Sequence, residues 1–272
     1  MTLIISALNK SYSCQLSDRR LTKIQPDGSL EVYNDSANKA TIVNFKDTFL
    51  AMSYTGVGEF INQRTDEWFV DSMTSLKPWR KSPGEFFKEF NDLASRWIKK
   101  IENISGENQR HSFVFTGMFN DNIPVLFLSS NFEKISDGKR YVNKEDHFSS
   151  TFIKLNCIEK ESSALLFIGD HSKVNEGDCE DLISIIKHPN VEVDNFVKKS
   201  VKSIRNVAEK STYIGKNIMS IIIKPNNRMA SCHYHPAERS KEAFAPNLIT
   251  GGILFKGVEL YFGNTPPWRN NN

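Results

Sequence analysis

The chain has 272 residues, 39% of them hydrophobic and 25% charged, an ordinary balance for a soluble globular protein. Its net charge of +3 comes from Lys and Arg that are scattered along the chain, which leaves no stripe for nucleic acid to follow. No apolar run reaches the ~18 residues of a membrane span, and Leu3-Ile4-Ile5 is too short, and lacks the basic leader, for a signal peptide.

The first expected element is a hairpin. Thr2 to Leu8 and Tyr12 to Asp18 are β-prone runs joined by Asn9-Lys10-Ser11. Centring the hairpin on Lys10 pairs residues whose numbers sum to twenty, which sets Thr2 opposite Asp18. Gln25 to Ser29 is a turn marked by Pro26-Asp27-Gly28, and Leu30 to Tyr33 is a short strand. Ala40 to Val43 and Thr48 to Ser53 form the next β pair. Glu59 to Leu76 has helical period, with Phe60, Trp68, Met73 and Leu76 near one stripe. A second helix starts at a clear signal: Ser82 as N-cap, Pro83 in the first turn, Glu85 as the capping-box partner. Its apolar face runs from Phe86 through Trp97 to Ile104, and Ser105-Gly106 closes it.

Strands return at Ser112 to Phe119 and Ile123 to Ser130. The polar stretch Asn131 to Ser150 is read as loop. Phe152 to Cys157 and Ala164 to Ile168 are strands joined by a turn near Glu159 to Ser162. Asp178 to Lys187 and Asp194 to Glu209 are helices separated by His188-Pro189-Asn190, and Ile218 to Ile223 is a strand ended by Pro225-Asn226-Asn227. A closing hairpin, Leu248 to Leu254 with Val258 to Phe262, turns at Lys256-Gly257, and Pro266-Pro267 leads into a solvated end. Strands, helix pair, strands, helix pair, strands: two antiparallel sheets face to face, covered outside by helices, would satisfy every apolar face. The fold class is therefore α+β, a four-layer αββα sandwich. It forms a single domain over 1–272, with a C-terminal extension from about 225.

The chemistry gathers at the start of the chain. A small Thr2 behind Met1 is a residue that methionine removal tolerates. Once bared, its hydroxyl lies beside an α-amine of pKa ~8, a nucleophile with its own base. Cys14, Cys157, Cys179 and Cys232 are far apart without a CxxC, as expected of reduced thiols in a cytoplasmic protein. Cys232-His233-Tyr234-His235 has no distant ligand to complete a zinc site. No cofactor or metal is called for.

Thr2, then Ser17-Asp18-Arg19-Arg20, Lys39 in Asn38-Lys39-Ala40-Thr41-Ile42, and Ser53-Tyr54-Thr55-Gly56-Val57-Gly58 together resemble the N-terminal nucleophile hydrolases of proteasome β-subunit type. The resemblance covers most of the first sixty residues and the strand from Gly215 to Lys224; elsewhere only the order of elements matches. It implies the same sandwich and a tendency to homo-oligomers. It also implies acyl transfer: Thr2 attacks an amide carbonyl, the α-amine relays the proton to the leaving nitrogen, and water releases the acyl-enzyme. Lys39 would lower the pKa of hydroxyl and amine, Asp18 would be its counter-ion, and Arg20 would make a structural pairing nearby. Gly56, read as a turn at a helix start, would offer its N–H to the oxyanion.

The second shell departs from the family pattern. Asp170 stands where a serine is usual, and Ser211 and Ile214 replace the Asp and Ser of a late Asp-x-x-Ser-Gly-Gly element, with Gly215 kept. Asp170 or Ser211 remains able to bond the terminal amine. The expected partner is a peptide or other amide substrate, with no nucleic acid and no membrane. Two other uses of the site stay open: an idle scaffold, and an amide ligase or transpeptidase in which an amine resolves the acyl-enzyme.

Overall fold

The opening hairpin forms one residue away from the expected register. In the computed structural model, β1 (Leu3–Asn9) and β2 (Tyr12–Asp18) pair Ile4 with Ser17 and Asn9 with Tyr12. The partners sum to twenty-one, and the loop is Lys10-Ser11 alone. Asn9 decides this. Its Oδ1 accepts from the backbone N–H groups of Ser11 and Tyr12, both at 2.9 Å, an Asx turn that closes the hairpin early. Leu3 rather than Thr2 therefore lies beside Asp18.

The structure describes residues 2–24, 30–35, 37–60, 63–100, 110–136, 139–142, 145, 147–155, 162–188, 192–225, 230–237, 242–257 and 259–261. The turn at 25–29, Ile104 and the helix stop at 105–106, Cys157 and the turn that follows it, Pro189-Asn190, Asn226-Asn227 and the prolines at 266–267 lie outside the described residues.

After a ribbon of Leu21–Ile24 with Leu30–Asn34, the next strands of the two large sheets are β3 (Thr41–Asn44), β4 (Thr48–Thr55), β5 (Ser112–Phe119), β6 (Pro124–Ser130), β7 (Ser149–Lys154) and β8 (Ala164–Gly169). They are followed by β9 (Ile218–Ile223), β10 (Ala230–His235), β11 (Asn247–Thr250) and β12 (Ile253–Phe255). One sheet runs β8-β1-β2-β9-β10, and the other runs β7-β6-β5-β4-β3-β11-β12. The first is antiparallel throughout. The second is not: β11 runs parallel to β3, with Asn247 beside Thr41.

Among the described residues four α-helices accompany the sheets: α1 (Thr65–Leu76), α2 (Pro83–Lys99), α3 (Glu176–Lys187) and α4 (Val193–Ala208). The capping box of α2 forms as read, with Ser82 and Glu85 bonding each other's backbone N–H. Helix α1 starts six residues later than its periodicity suggests. Glu59–Phe60 and Gln63–Arg64 pair as a small ribbon, and Thr65 is tied back to the preceding turn by Oγ1 donating to the Val57 carbonyl at 2.6 Å.

Three further readings are corrected. Part of the supposed loop 131–150 is a ribbon, Glu133–Ser136 with Lys139–Val142. The late hairpin turns at Gly251-Gly252, while Glu259–Tyr261 pairs with Glu242–Phe244. The run Cys232 to His235 lies within strand β10, which the sequence reading had passed over.

Three kinds of core hold the elements. Helices α1 and α2 pack Trp68, Phe69, Phe86, Phe87 and Phe90 on Phe113, Phe115 and Phe127 of the seven-stranded sheet. Helices α3 and α4 pack Leu182, Ile186, Phe196, Val201 and Ile204 on Leu3, Ile5, Cys14 and Leu16 of the five-stranded one. Between the sheets lie Ile4, Leu8 and Ile168 against Val114, Leu126 and Leu128, and Met219 and Ile221 against Ala51 and Met118. Each buried Val, Leu, Ile, Phe or Met among them contributes about 1.5–3 kcal/mol. The same interface carries a polar seam, in which Gln15 Nε2 donates to Thr116 Oγ1 at 3.0 Å and to the Val114 carbonyl at 3.1 Å. It continues toward one end as Ser53 Oγ to Ser17 Oγ at 3.3 Å, and at that end stands Thr2.

Candidate active site

Thr2 is gripped by both sheets. Its backbone N–H donates to Thr55 Oγ1 at 3.0 Å, at the end of β4. Its carbonyl accepts from that same hydroxyl at 3.2 Å and from the Asp170 N–H at 3.1 Å, just after β8. Gly169 makes the approach possible. It has φ +88°, and a Cβ there would fall 1.8 Å from the Thr2 carbonyl oxygen, so no larger residue fits without moving the threonine. Thr2 is 2% exposed.

Asp18 and Lys39, which are far apart in the sequence, meet here. Asp18 ends β2 and is fully buried. It accepts three backbone N–H groups: Leu3 on Oδ1 at 3.0 Å, and Arg20 and Gly215 on Oδ2 at 2.9 and 3.1 Å. Those bonds fix the carboxylate. Lys39, 1% exposed, lies just before β3. Its Nζ donates to Thr2 Oγ1 and to the Arg20 carbonyl, and lies 3.6 Å from Asp18 Oδ2. Burial pushes the Lys39 pKa below the ordinary lysine value, and the Asp18 charge pulls the other way. A desolvated ammonium held beside one carboxylate is costly on its own and stable only with that partner.

The remaining predicted residues divide. Arg20 makes the structural pairing, a two-pronged contact with Asp35 at 2.6 and 2.9 Å, and reaches the Thr212 carbonyl at 3.0 Å. Gly56 is not at a helix start, because α1 begins nine residues later. It is a left-handed turn residue, φ +112°, pressed against the Arg110 carbonyl, where a Cβ would sit 2.1 Å away. Asp170 and Ser211 are bonded to each other, Ser211 Oγ to Asp170 Oδ2 at 3.0 Å; toward Thr2, Asp170 offers its backbone N–H.

Two residues escaped the sequence reading. Thr55, the side-chain partner of the Thr2 backbone, stands one place before Gly56 in a motif already singled out, and its pairing distance of 53 residues hid it. His111 holds the Gly56 turn: its Nδ1 accepts from the Val57 N–H at 3.0 Å, and its ring stacks on Tyr54 at 5.8 Å. Burial lowers the His111 pKa to about 3, so the ring is neutral and the Nδ1 lone pair stays available. On β10, His233 and His235 lie on one face, and His235 Nε2 bonds Ser220 Oγ at 2.9 Å.

By sequence, no protein family and no curated protein matches this chain. Solved structures do. An Anbu mutant from Hyphomicrobium sp. strain MC1 is similar with a TM-score of 0.56 at 11% identity, over 88% of each chain. Anbu, described as an ancestral β-subunit, from Yersinia bercovieri gives 0.52 at 12% identity, over 85% of this chain and 86% of that one. The chain has a proteasome-like fold. The helical assembly of the Anbu complex from Pseudomonas aeruginosa is similar as well, with a TM-score of 0.51 at 10% identity over 88% of each chain. At such identities the likeness concerns the fold, and function has to be argued from the site. Among the described residues no helix is long and apolar enough to cross a membrane.

Proposed function

We propose that the chain is an N-terminal-threonine amidohydrolase acting on a peptide or other amide. The reading is of one αββα domain, two sheets between two helix layers, whose nucleophile is Thr2 after Met1 has left. One observation carries it: a buried lysine ammonium donates to the Thr2 hydroxyl with a buried carboxylate 3.6 Å behind it. An isolated buried ion pair is a weak source of stability. A pair aimed at a hydroxyl is better explained by what it does to that hydroxyl.

The freed α-amine takes the Thr2 hydroxyl proton as Oγ1 bonds to the amide carbon. The positive field of Lys39 lowers the pKa of hydroxyl and amine alike. The amine passes the proton to the leaving nitrogen as the C–N bond breaks, and a water then adds to the ester and frees Thr2. Gly56 is kept as the oxyanion donor on the family resemblance alone, since it does not stand at a helix start, with His111 holding its turn. The Thr55 hydroxyl is placed to orient the new amine.

A second reading, an idle scaffold of the same architecture, draws on the Asp170–Ser211 bond. Those two side chains engage each other, and their polar atoms at that contact are not directed to the Thr2 nitrogen. Assembly into a homo-oligomer is proposed by analogy with the Anbu helical assembly. Intact mass of the native protein and labelling with a threonine-directed electrophile test the main reading. Loss of Met1 and a single adduct absent from Thr2→Ala support it. A retained Met1, or a bare Thr2 that never labels, sinks it. Product that forms only with an added amine would identify the transpeptidase use of the same nucleophile.

A further inference from the structure

Lys39 stands on residues 37–40, which have no regular secondary structure of their own. Its position is therefore set by what packs around it. On one side is Arg19, 1% exposed and next to Asp18 in the chain. Its backbone N–H donates to the Asn217 carbonyl at 2.9 Å, its carbonyl accepts from the Ala37 N–H at 3.1 Å, and its Nε donates to the Ala37 carbonyl at 2.9 Å. The guanidinium carbon lies 3.2 Å from the centre of the Phe244 ring and 5.2 Å from that of Tyr234. Those two rings meet edge to face at 4.6 Å.

On the other side the late chain touches the same segment directly. Asn38 Nδ2 donates to the Ala245 carbonyl at 3.3 Å, and the Asn247 N–H donates to the Ala40 carbonyl at 3.2 Å. Asn247 Nδ2 reaches Thr41 Oγ1 at 3.4 Å, where β11 begins its parallel ladder with β3. A buried guanidinium is tolerable when its N–H groups find acceptors and an aromatic face covers its charge. Arg19 has an acceptor for its Nε in the Ala37 carbonyl and an aromatic cover in Phe244, groups from two distant parts of the chain.

We propose that Tyr234 and residues 244–247 form a brace that sets Lys39 against Thr2, and that Arg19 is the positioning residue through which it acts. This deepens the amidohydrolase reading and rests on it for the effect on reactivity. The mechanical part concerns the Lys39 segment alone. Without the Phe244 face, the Arg19 guanidinium loses its cover, Ala37 loses its fixed donor, and the Lys39 ammonium moves off the Thr2 hydroxyl, and so away from the amine that the same residue would carry once Met1 is removed. An amine relieved of a neighbouring cation has a higher pKa.

The test is amide hydrogen exchange together with the pH profile of Thr2 labelling, on the full mature protein. Phe244→Leu should speed exchange at the Lys39 and Asn247 amides by about tenfold or more while the amides of α2 and α4 stay within about twofold. It should also move the midpoint of the labelling profile to higher pH. Phe244→Trp, which keeps an aromatic face, should restore both. Asn38→Ala removes a separate contact and should speed the same amides by a smaller factor. Unchanged exchange at Lys39 in Phe244→Leu, or an equal rise throughout α2 and α4, overturns the brace. If Thr2 of the native protein never labels, the amidohydrolase reading falls and the exchange pattern alone decides the brace.

Discussion

The aromatic layer under α1 and α2 and the polar corner around Thr2 are both buried in the chain that still carries Met1, and they are held by opposite means. In the layer, Phe86, Phe87 and Phe90 each meet several other rings, for instance Phe90 with Phe113 at 5.0 Å edge to face. Aromatic pairs of this kind are each worth about 0.5–1.5 kcal/mol beyond burial, so no single pair decides the outcome. At the corner, Lys39 has Asp18 as its nearest carboxylate, Asp18 has three backbone donors, and Thr2 has one hydroxyl to offer. Redundancy protects the first region. The second is a chain of dependence, in which losing a partner leaves a charge stranded.

The comparison breaks first on activity. Thr2→Ala should abolish electrophile labelling and amide turnover, at a stability cost of about 1–3 kcal/mol, because the buried Lys39 ammonium loses one acceptor and keeps the Arg20 carbonyl and Asp18. A labelled Thr2→Ala protein would place the nucleophile elsewhere. Next comes the asymmetry of the ion pair. Asp18→Asn strands the Lys39 ammonium and should cost about 3–5 kcal/mol in denaturant unfolding. Lys39→Met should cost less, since Asp18 keeps its backbone donors, and adding it to Asp18→Asn should recover most of the loss. Additive effects in that cycle would deny the pairing.

The aromatic layer sharpens the contrast. Phe90→Ala should cost about 3–5 kcal/mol, as much as the Asp18 change, yet a hydrophobic second-site change can only refill its volume and cannot cancel a charge. His111 gives a pH signature. Its folded pKa of about 3 lies below the ordinary 6.5, so between those values the unfolded chain binds a proton that the folded one does not. Stability therefore falls as pH drops through that window, by up to about 1.4 kcal/mol per pH unit. His111→Phe should flatten the acid limb, and an unchanged slope would show that other groups control it. The smallest effect is expected at the α2 cap, where Ser82→Ala should cost about 1 kcal/mol without touching labelling.

What the sequence made legible follows from the physics of each place. The α2 capping box was readable because its signal is local: three residues specify it. The register of the first hairpin was not. Every residue of β1 and β2 is buried, so the alternation that normally fixes register is silent, and the Asn9 side chain moved the turn by one residue. Strand β10 was missed because Cys232, His233 and His235 drew attention as metal ligands, while their alternating exposure exists only against β9. Thr2, Asp18 and Lys39 were nominated by spacing and resemblance, and the structure brings them together. Thr55 and His111 were out of reach, since each acts through a contact more than fifty residues away.

The parallel ladder between β3 and β11 has a consequence for biosynthesis. Asn247 meets Thr41 across 206 residues. A ribosome therefore makes Thr2, Asp18, Lys39 and helices α1 to α4 before it makes the strand that pairs beside Lys39's flank. Closing so long a loop is slow relative to local steps. If the brace holds, the Lys39 cation beside the threonine is fixed only late in translation. Under the proposed function, an emerging polypeptide would be spared a working amide-cleaving terminus until that strand has left the tunnel.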